Sequence, residues 1–129
     1  MSGPVWIDEK TALALHNRLL VLHGGAAGVR DVGLLRSALA RPRQSAAYGD
    51  VADMIAPAAA LTFGIVKHHP FVDGNKRTGF VAGILFLELN GGRFSASEED
   101  AVDAVLALAS GALDEAAYAA FLRANTKLP

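Results

Sequence analysis

The sequence contains one dense polar segment, His68-His69-Pro70-Phe71-Val72-Asp73-Gly74-Asn75-Lys76-Arg77-Thr78, which lies between its two most apolar segments. The apolar segments, residues 58–66 and 80–87, are hydrophobic nearly all round a helical projection. Helices that are apolar on every side are buried helices. Because buried charge costs several kcal/mol unless it is paired, a polar loop between two buried helices indicates chemistry rather than packing.

Length and composition predict a single all-α domain over residues 1–129. A chain of 129 residues buries about 68% of the surface that its unfolded form exposes, which is enough for one hydrophobic core. Hydrophobic residues make up 52% of the sequence and are rich in Ala and Leu, which favour helices. We predict a compact bundle of about six helices with the two buried helices at its centre.

Charge and cysteine content indicate the cellular compartment and the kind of partner. The sequence has no cysteine, which leaves no disulfide framework and fits a reducing compartment, so we predict a cytoplasmic protein. Met1–Pro4 has no features of a targeting segment, and no apolar run is long enough to cross a bilayer. A net charge of −1 and a pI near 6.4 disfavour direct nucleic-acid binding. We expect a protein or a small anion as partner.

Capping residues and helix breakers place the first two helices. One helix is predicted to begin after Asp8 and to end near Leu22. The next is predicted to begin after Asp31 and to stop at Pro42. Residues 41–52 have no sustained period and contain Pro and Gly, so we predict a loop there. The residues expected to be buried are Ala12, Leu15, Leu19 and Leu22 in the first helix and Leu34, Leu35, Ala38 and Leu39 in the second.

The two buried helices flank the polar segment. The first is predicted to begin after Asp53 and to end near His68. The second is predicted to begin at Asn75 or Lys76 and to end at Asn90-Gly91-Gly92, because Asn and Gly favour the left-handed conformation that ends helices.

Two further helices are predicted near the C-terminus. Ser97 and the acidic residues after it are typical of a helix start. Gly111 is predicted to separate that helix from a last one, which extends from about Asp114 to Ala124. The residues expected to be buried are Ala101, Val105, Leu108, Ala117, Ala120 and Phe121.

The polar segment has the components of an anion site. Gly74 precedes a helix N-terminus, where backbone N–H groups lack partners and close approach is possible, and Lys76 and Arg77 add positive charge. A carboxylate beside a phosphate is unfavourable unless a cation bridges them, so we interpret Asp73 as a Mg²⁺ ligand. We interpret His69 as the base that takes a proton from an incoming hydroxyl. The pattern predicts group transfer from a nucleotide.

Each component also has an ordinary structural explanation when it is taken alone. A single His at the end of an apolar helix is often a satisfied structural residue, Asp-Gly is a common turn, and Lys-Arg is a common solvated pair. The segment lacks the spacing of the nucleotide-binding P-loop, and His68 receives no role. The functional interpretation therefore depends on the conjunction of these residues in one loop.

The polar segment resembles the signature of the Fic/Doc family, His-x-Phe-x-Asp/Glu-Gly-Asn-x-x, and specifically its Doc branch, at His69-Pro70-Phe71-Val72-Asp73-Gly74-Asn75-Lys76-Arg77. The segments Gly28-Val29-Arg30-Asp31-Val32-Gly33-Leu34-Leu35 and Ala38-Leu39-Ala40-Arg41-Pro42 are similar to the N-terminal region of that branch. In the adenylyl-transferring Fic branch, Gly stands at the position of Lys76 and a second Arg at that of Phe80. Doc-like proteins carry the Asn-Lys-Arg form that this sequence has. Doc members often have a polar residue at the position of Val81.

The resemblance implies a role for each residue of the loop. His69 is implied to be the general base on a target hydroxyl, and Asp73 the ligand of Mg²⁺. Gly74 is implied to admit the anion to the backbone, and Phe71 to pack inward and hold the loop. The residues implied to be catalytic are His69, Asp73, Lys76 and Arg77, and those implied to bind the nucleotide are Phe71, Gly74, Asn75, Lys76 and Arg77.

The resemblance also implies a biological role. Doc-like proteins are toxins that use ATP to phosphorylate elongation factor Tu, stop translation and are neutralised by the antitoxin Phd. We therefore expect a Ser/Thr protein kinase toxin that uses ATP and Mg²⁺ and is inhibited by an antitoxin bound as an amphipathic helix. Residues 8–40 are the expected binding surface, because the apolar stripes of their helices contain more Leu than a two-helix hairpin can hide. One alternative is adenylyl transfer to a protein hydroxyl, which Lys76 and Phe80 disfavour. The other is a binding protein with a decayed site, which the intact loop disfavours.

Overall fold

A computed structural model describes residues 3–48 and 53–129 of the chain. Within these ranges the chain forms six α-helices, which confirms the predicted all-α fold. The helices are α1 (Glu9–His23), α2 (Val32–Tyr48), α3 (Ile55–His68), α4 (Asn75–Leu89), α5 (Glu98–Ser110) and α6 (Glu115–Ala124). Two short strands, β1 (Arg93–Phe94) and β2 (Thr126–Lys127), pair antiparallel with Arg93 opposite Lys127 and Phe94 opposite Thr126.

The central helix is α3, which packs against α2, α4 and α6. Its buried residues extend from Ile55 to Val66 and cover most of its circumference, as predicted. Two glycines let α4 lie close to it. A Cβ at Gly79 would lie 2.9 Å from the Val66 Cγ2, and a Cβ at Gly83 would collide with the Thr62 hydroxyl. This close packing determines the positions of the two ends of the loop that joins α3 to α4.

The second helix of this pair, α4, is buried on one side only, so the prediction of a second fully buried helix is wrong. Residues such as Ala82 and Phe86 face the core. Phe80, Val81 and Ile84 are partly exposed and line a groove on the other side. An apolar periodicity does not distinguish a helix enclosed by protein from one that leaves an apolar face open.

Helix α2 is longer than predicted. It continues through Pro42 to Tyr48, so the predicted stop at Pro42 and the predicted loop over residues 41–48 are wrong. The rest of that predicted loop, residues 49–52, lies outside the described residues. A proline inside a helix costs about 3 kcal/mol, because it removes a backbone hydrogen bond and crowds the preceding turn.

Tertiary contacts offset this cost in α2. Pro42 itself is buried. The adjacent Arg41 donates to the Ala60 carbonyl of α3 and to the Glu115 carboxylate of α6, both at 2.7 Å. These contacts join three helices, and none of them is visible in the local sequence around Pro42.

The predicted helix starts are confirmed by their capping bonds. Asp8, Asp31, Ser97 and Asp114 each accept a hydrogen bond from the backbone N–H three residues later. Asp53 instead accepts from the N–H of Ile55, at 2.8 Å, just ahead of α3. Gly111 ends α5, as predicted, and adopts the left-handed conformation. Within the described ranges, no helix has the length and apolar character needed to span a membrane.

The buried stripes of the terminal helices differ from the predictions. In α1 the buried residues are Ala12 and His16, whereas Leu22 is 59% exposed. In α6 they are Tyr118 and Leu122. The residues predicted to be buried that are partly or fully exposed are Leu15, Leu19, Leu22, Leu34, Leu39, Ala117, Ala120 and Phe121. The two-residue strands were not predicted, since they are too short to show an alternating pattern.

Candidate active site

The loop between α3 and α4 begins and ends in the left-handed backbone conformation. His69 closes α3 with φ 52° and ψ 57°, and its N–H donates to the Ile65 carbonyl at 3.2 Å. Gly74 opens α4 with φ 77°, which glycine adopts at no steric cost. The Thr78 N–H donates to the Gly74 carbonyl, so the N–H groups of residues 75–77 have no partner within the helix.

The inner side of the loop is held by Phe71 and Asn75, which are both buried. As predicted, Phe71 packs inward, and its ring stacks on the His16 ring with centroids 3.9 Å apart and 10° between the planes. The Asn75 side chain accepts from the Phe71 N–H and donates to the Phe71 carbonyl, both at 3.0 Å. Because this amide is used inside the loop, a phosphate contact from Asn75 is left to its backbone N–H.

The outer side of the loop forms a pocket of about 320 Å³. The pocket brings together every predicted site residue except Phe71, which supports the loop from its inner side. The residues that line the pocket are His69, Val72, Asp73, Gly74, Asn75, Lys76 and Arg77. His68 lies outside it, with its Nδ1 3.1 Å from the Gly64 carbonyl oxygen. The structure thus places His69 in the pocket and leaves His68, which was assigned no role, outside it.

The Asp73 carboxylate is held by two backbone N–H groups. Ala26, in the connection after α1, donates to Oδ2 at 3.1 Å, and Gly74 donates to Oδ1 at 2.8 Å. These bonds, Ala26 first and then Gly74, lower the pKa of Asp73, and the charge of Arg77 lowers it further. The carboxylate is therefore ionised at neutral pH. The backbone carbonyl oxygen of Asp73 lies 2.8 Å from His16 Nε2, which donates to it.

Lys76 and Arg77 leave positive charge available at the start of α4. Both side chains are exposed, and neither takes part in an ion pair within the described part of the chain. The same part of the chain has no group of three or more residues able to hold a metal ion by themselves. One ionised carboxylate beside a phosphate site nevertheless suits Mg²⁺, which is usually bound by one or two carboxylates, phosphate oxygens and water.

Sequence reasoning missed two residues that hold the loop. His16 was not assigned any role, although it is a buried polar residue in an otherwise apolar stripe of α1. Arg30 lies in the segment Gly28–Asp31, which the sequence analysis noted only for its resemblance. In the structure its guanidinium binds the carbonyls of His68 and His69. A polar residue on an apolar face was the one signal that pointed to His16.

Comparison with known families decides the affiliation of the chain. A family model described as the Fic/DOC family matches residues 6–87. The chain belongs to the Fic/DOC family. The matched region extends from Trp6 into α4, and so contains the whole loop between α3 and α4 and the Gly28–Asp31 segment that binds it.

Two relatives show how far the similarity extends. A protein named "Toxin Doc" from Mycolicibacterium smegmatis is 44% identical over 78 residues, which are 59% of this Fic/DOC chain and 59% of that protein. A protein named "Protein kinase doc" from Escherichia phage P1 is 30% identical over 117 residues, which are 91% of this chain and 92% of that protein. The first alignment spans less than two thirds of its relative, and the second spans nearly the whole length.

Proposed function

We propose that this Fic/DOC protein is a toxin that moves the γ-phosphoryl group of ATP to a Ser or Thr hydroxyl of a protein target. One observation carries the proposal: a single pocket joins the exposed imidazole of His69, the ionised carboxylate of Asp73 and the cations of Lys76 and Arg77 at a helix N-terminus. The relative named "Protein kinase doc" supports the phosphoryl transfer, and the relative named "Toxin Doc" supports the role as a toxin.

In the proposed reaction, His69 removes the proton of the target hydroxyl while the hydroxyl oxygen bonds to the γ-phosphorus. The bond between the γ-phosphorus and the bridging oxygen breaks, and ADP leaves with that electron pair. His69 is exposed and lines the pocket, so a hydroxyl reaches it from solvent. A positioned base of this kind contributes about 10² to 10⁴ in rate.

The phosphates of ATP are proposed to bind at the start of α4. The free N–H groups of residues 75–77 and the absent side chain of Gly74 admit an anion there. A helix dipole contributes about 0.3–1 kcal/mol, whereas a hydrogen bond to a charged group contributes about 1.5–3 kcal/mol. Lys76 and Arg77 would therefore supply most of the affinity. Asp73 would hold Mg²⁺, which neutralises phosphate charge when it is bound.

Adenylyl transfer is the second candidate, and position 80 separates it from phosphoryl transfer. By resemblance, the adenylyl-transferring branch has Arg at this position. Here Phe80 packs edge-on against Phe94, with centroids 5.9 Å apart and 72° between the rings. Phe80 therefore offers no donor to a phosphate, and Lys76 stands where that branch has Gly. Both observations favour phosphoryl transfer.

Labelled ATP separates the candidates. The protein is incubated with Mg²⁺, a bacterial lysate and ATP labelled at either the α or the γ phosphate. Label from the γ position alone supports the kinase, and label from the α position contradicts it in favour of adenylyl transfer. Absence of label from both supports a decayed site. His69→Ala is the inactive control and His68→Ala the matched one, because His68 is an adjacent exposed histidine outside the pocket.

We further propose elongation factor Tu as the target in the cytoplasm, and a Phd-like antitoxin as the inhibitor. An open groove of about 690 Å³ adjoins the pocket and is lined mainly by apolar side chains of α4 and α5. Of residues 8–40, where the antitoxin helix was expected to bind, only Leu19 and His23 line this groove. Most of the groove is therefore formed by residues outside the N-terminal helices. An amphipathic antitoxin helix with an acidic residue suits this groove, because Lys76 and Arg77 line one part of it.

A further inference from the structure

The connection between α1 and α2 binds three consecutive carbonyl groups at the start of the active-site loop. The Arg30 side chain donates from Nη2 to the His68 carbonyl and from Nε to the His69 carbonyl, both at 2.7 Å. The backbone N–H groups of Arg30 and Asp31 both donate to the Pro70 carbonyl, at 2.7 and 3.0 Å. Every carbonyl from residue 68 to residue 70 is therefore bound by residue 30 or residue 31.

His69 requires such support because its backbone conformation is unfavourable. Within the described part of the chain it is the single non-glycine residue with positive φ. Side chains disfavour this region, and such residues persist where surrounding contacts determine their conformation. Pro70 adds to the difficulty, since a proline drives the residue before it towards extended conformations. The bonds from Arg30 and Asp31 to the carbonyls of residues 68–70 are surrounding contacts of this kind.

We propose that Arg30 is the positioning residue of His69. Its guanidinium bridges the last two carbonyls at the end of α3 and thereby holds the left-handed turn that presents the imidazole to the pocket. A planar guanidinium presents its N–H donors in a fixed fork that binds both carbonyls at once, whereas an ammonium group is a point charge on a flexible stem without that fork. Positive charge at the C-terminal end of a helix is also favoured by its dipole.

Arg30 acts on the base and not on the phosphate site. Arg30 does not line the pocket, whereas Lys76 and Arg77 do. The functional part of the inference rests on the proposed role of His69 as general base. The conformational part, that Arg30 holds His69 in the left-handed conformation, can be tested without any transfer reaction.

Two substitutions, Arg30→Gln and Arg30→Lys, test the functional part. Both leave the backbone bonds to the Pro70 carbonyl in place. The matched control is Arg36→Gln, which changes an exposed arginine of α2 whose side chain binds Glu9 at 2.8 Å. We expect Arg30→Gln to lower kcat about 10- to 100-fold, the effect of a misplaced catalytic group, with KM for ATP changed less than about threefold. Arg30→Lys should lose less, and Arg36→Gln should match the wild type.

Nuclear magnetic resonance tests the conformational part. The Cα and Cβ chemical shifts of His69 distinguish left-handed from extended backbone, and they are compared in the wild type, both Arg30 variants and Arg36→Gln. We expect a shift towards extended values in Arg30→Gln, a smaller one in Arg30→Lys, and no change in the control. Thermal unfolding monitors the fold of each variant, and Arg30→Lys carries the test if Arg30→Gln does not fold.

Three outcomes would overturn the inference. One is left-handed shifts of His69 retained in the folded Arg30 variants. Another is a kcat within about twofold of the wild type. The third is a loss of activity that follows melting temperature equally in the Arg30 and Arg36 variants. If the wild type transfers no label from ATP, the proposed function fails, whereas the chemical shifts still decide the role of Arg30.

Discussion

Gly83→Ala tests whether the close approach of α3 and α4 determines the geometry of the active site. A Cβ at residue 83 would collide with the Thr62 hydroxyl and would lie 3.2 Å from the Ala58 carbonyl oxygen. The hydroxyl is not free to move without loss, because it donates to the Gly79 carbonyl at 2.7 Å within the core. The substitution must therefore break this bond or separate the two helices.

The magnitude follows from three terms. Overpacking of a close-packed core costs about 1–3 kcal/mol, and a buried hydroxyl left without its partner costs about 1–3 kcal/mol. Ala stabilises a helix interior by about 1 kcal/mol relative to Gly. The expected net destabilisation is about 1–5 kcal/mol, which lowers the melting temperature of a domain of this size by roughly 4–20 °C. Transfer should slow as well, because His69 ends one of these helices and Lys76 lies at the start of the other.

A double-mutant cycle with Thr62→Ala isolates the collision. Thermal and urea unfolding are measured for the wild type, each single variant and the pair, and phosphoryl transfer is assayed for the same four proteins. With the hydroxyl removed, Gly83→Ala should cost at least about 1 kcal/mol less than in the wild-type background. Equal costs in the two backgrounds, or a Gly83→Ala variant as stable as the wild type, would refute this account of the helix pair.

Four further predictions concern the site and its groove. His69→Ala should slow transfer about 10²- to 10⁴-fold without lowering the melting temperature, since the side chain is exposed; a marked loss of stability would indicate a structural role instead. Asp73→Asn should abolish the Mg²⁺ dependence of ATP binding in calorimetry, whereas the exposed Asp103→Asn should not. The pKa of Asp73 lies below the usual 3.8, so this carboxylate stays charged on acidification. Its contribution to Mg²⁺-dependent affinity should therefore be unchanged from neutral pH to about pH 5. A fall in affinity over this range that Asp73→Asn abolishes would contradict this. A bound antitoxin segment should protect α4, α5 and the end of α1 from hydrogen exchange, and protection confined to α2 would contradict the proposed groove.

Local signals in the sequence were sufficient to predict the helices and the central loop. Capping side chains such as Asp8 and Ser97 act within one turn, so their effect is visible in a few consecutive residues. The loop was predicted for a similar reason, since six of the seven residues that line its pocket were singled out within one polar segment. Only Val72 lines the pocket without having been assigned a role.

Contacts between distant parts of the chain were not predictable in this way. Arg30 binds a carbonyl 39 positions away, and His16 binds one 57 positions away. Neither contact leaves a periodicity or a spacing in the sequence. The continuation of α2 past Pro42 has the same origin, because the bonds that offset the cost of the proline come from α3 and α6. The exposed face of α4 was missed since periodicity does not report what covers an apolar surface.

The pocket and the groove share Lys76 and Arg77, and this overlap offers a route by which a partner restrains the enzyme without covering His69. An acidic side chain of a helix bound in the groove would pair with these cations and so remove the charge that the phosphates need. A charge-assisted hydrogen bond contributes about 1.5–3 kcal/mol. The loss of one such bond would therefore weaken the affinity for ATP about tenfold to hundredfold. By linkage, ATP would weaken binding of the partner by the same factor. An antitoxin segment that acts in this way raises the Kd for ATP, whereas one that only blocks the protein target leaves that Kd unchanged.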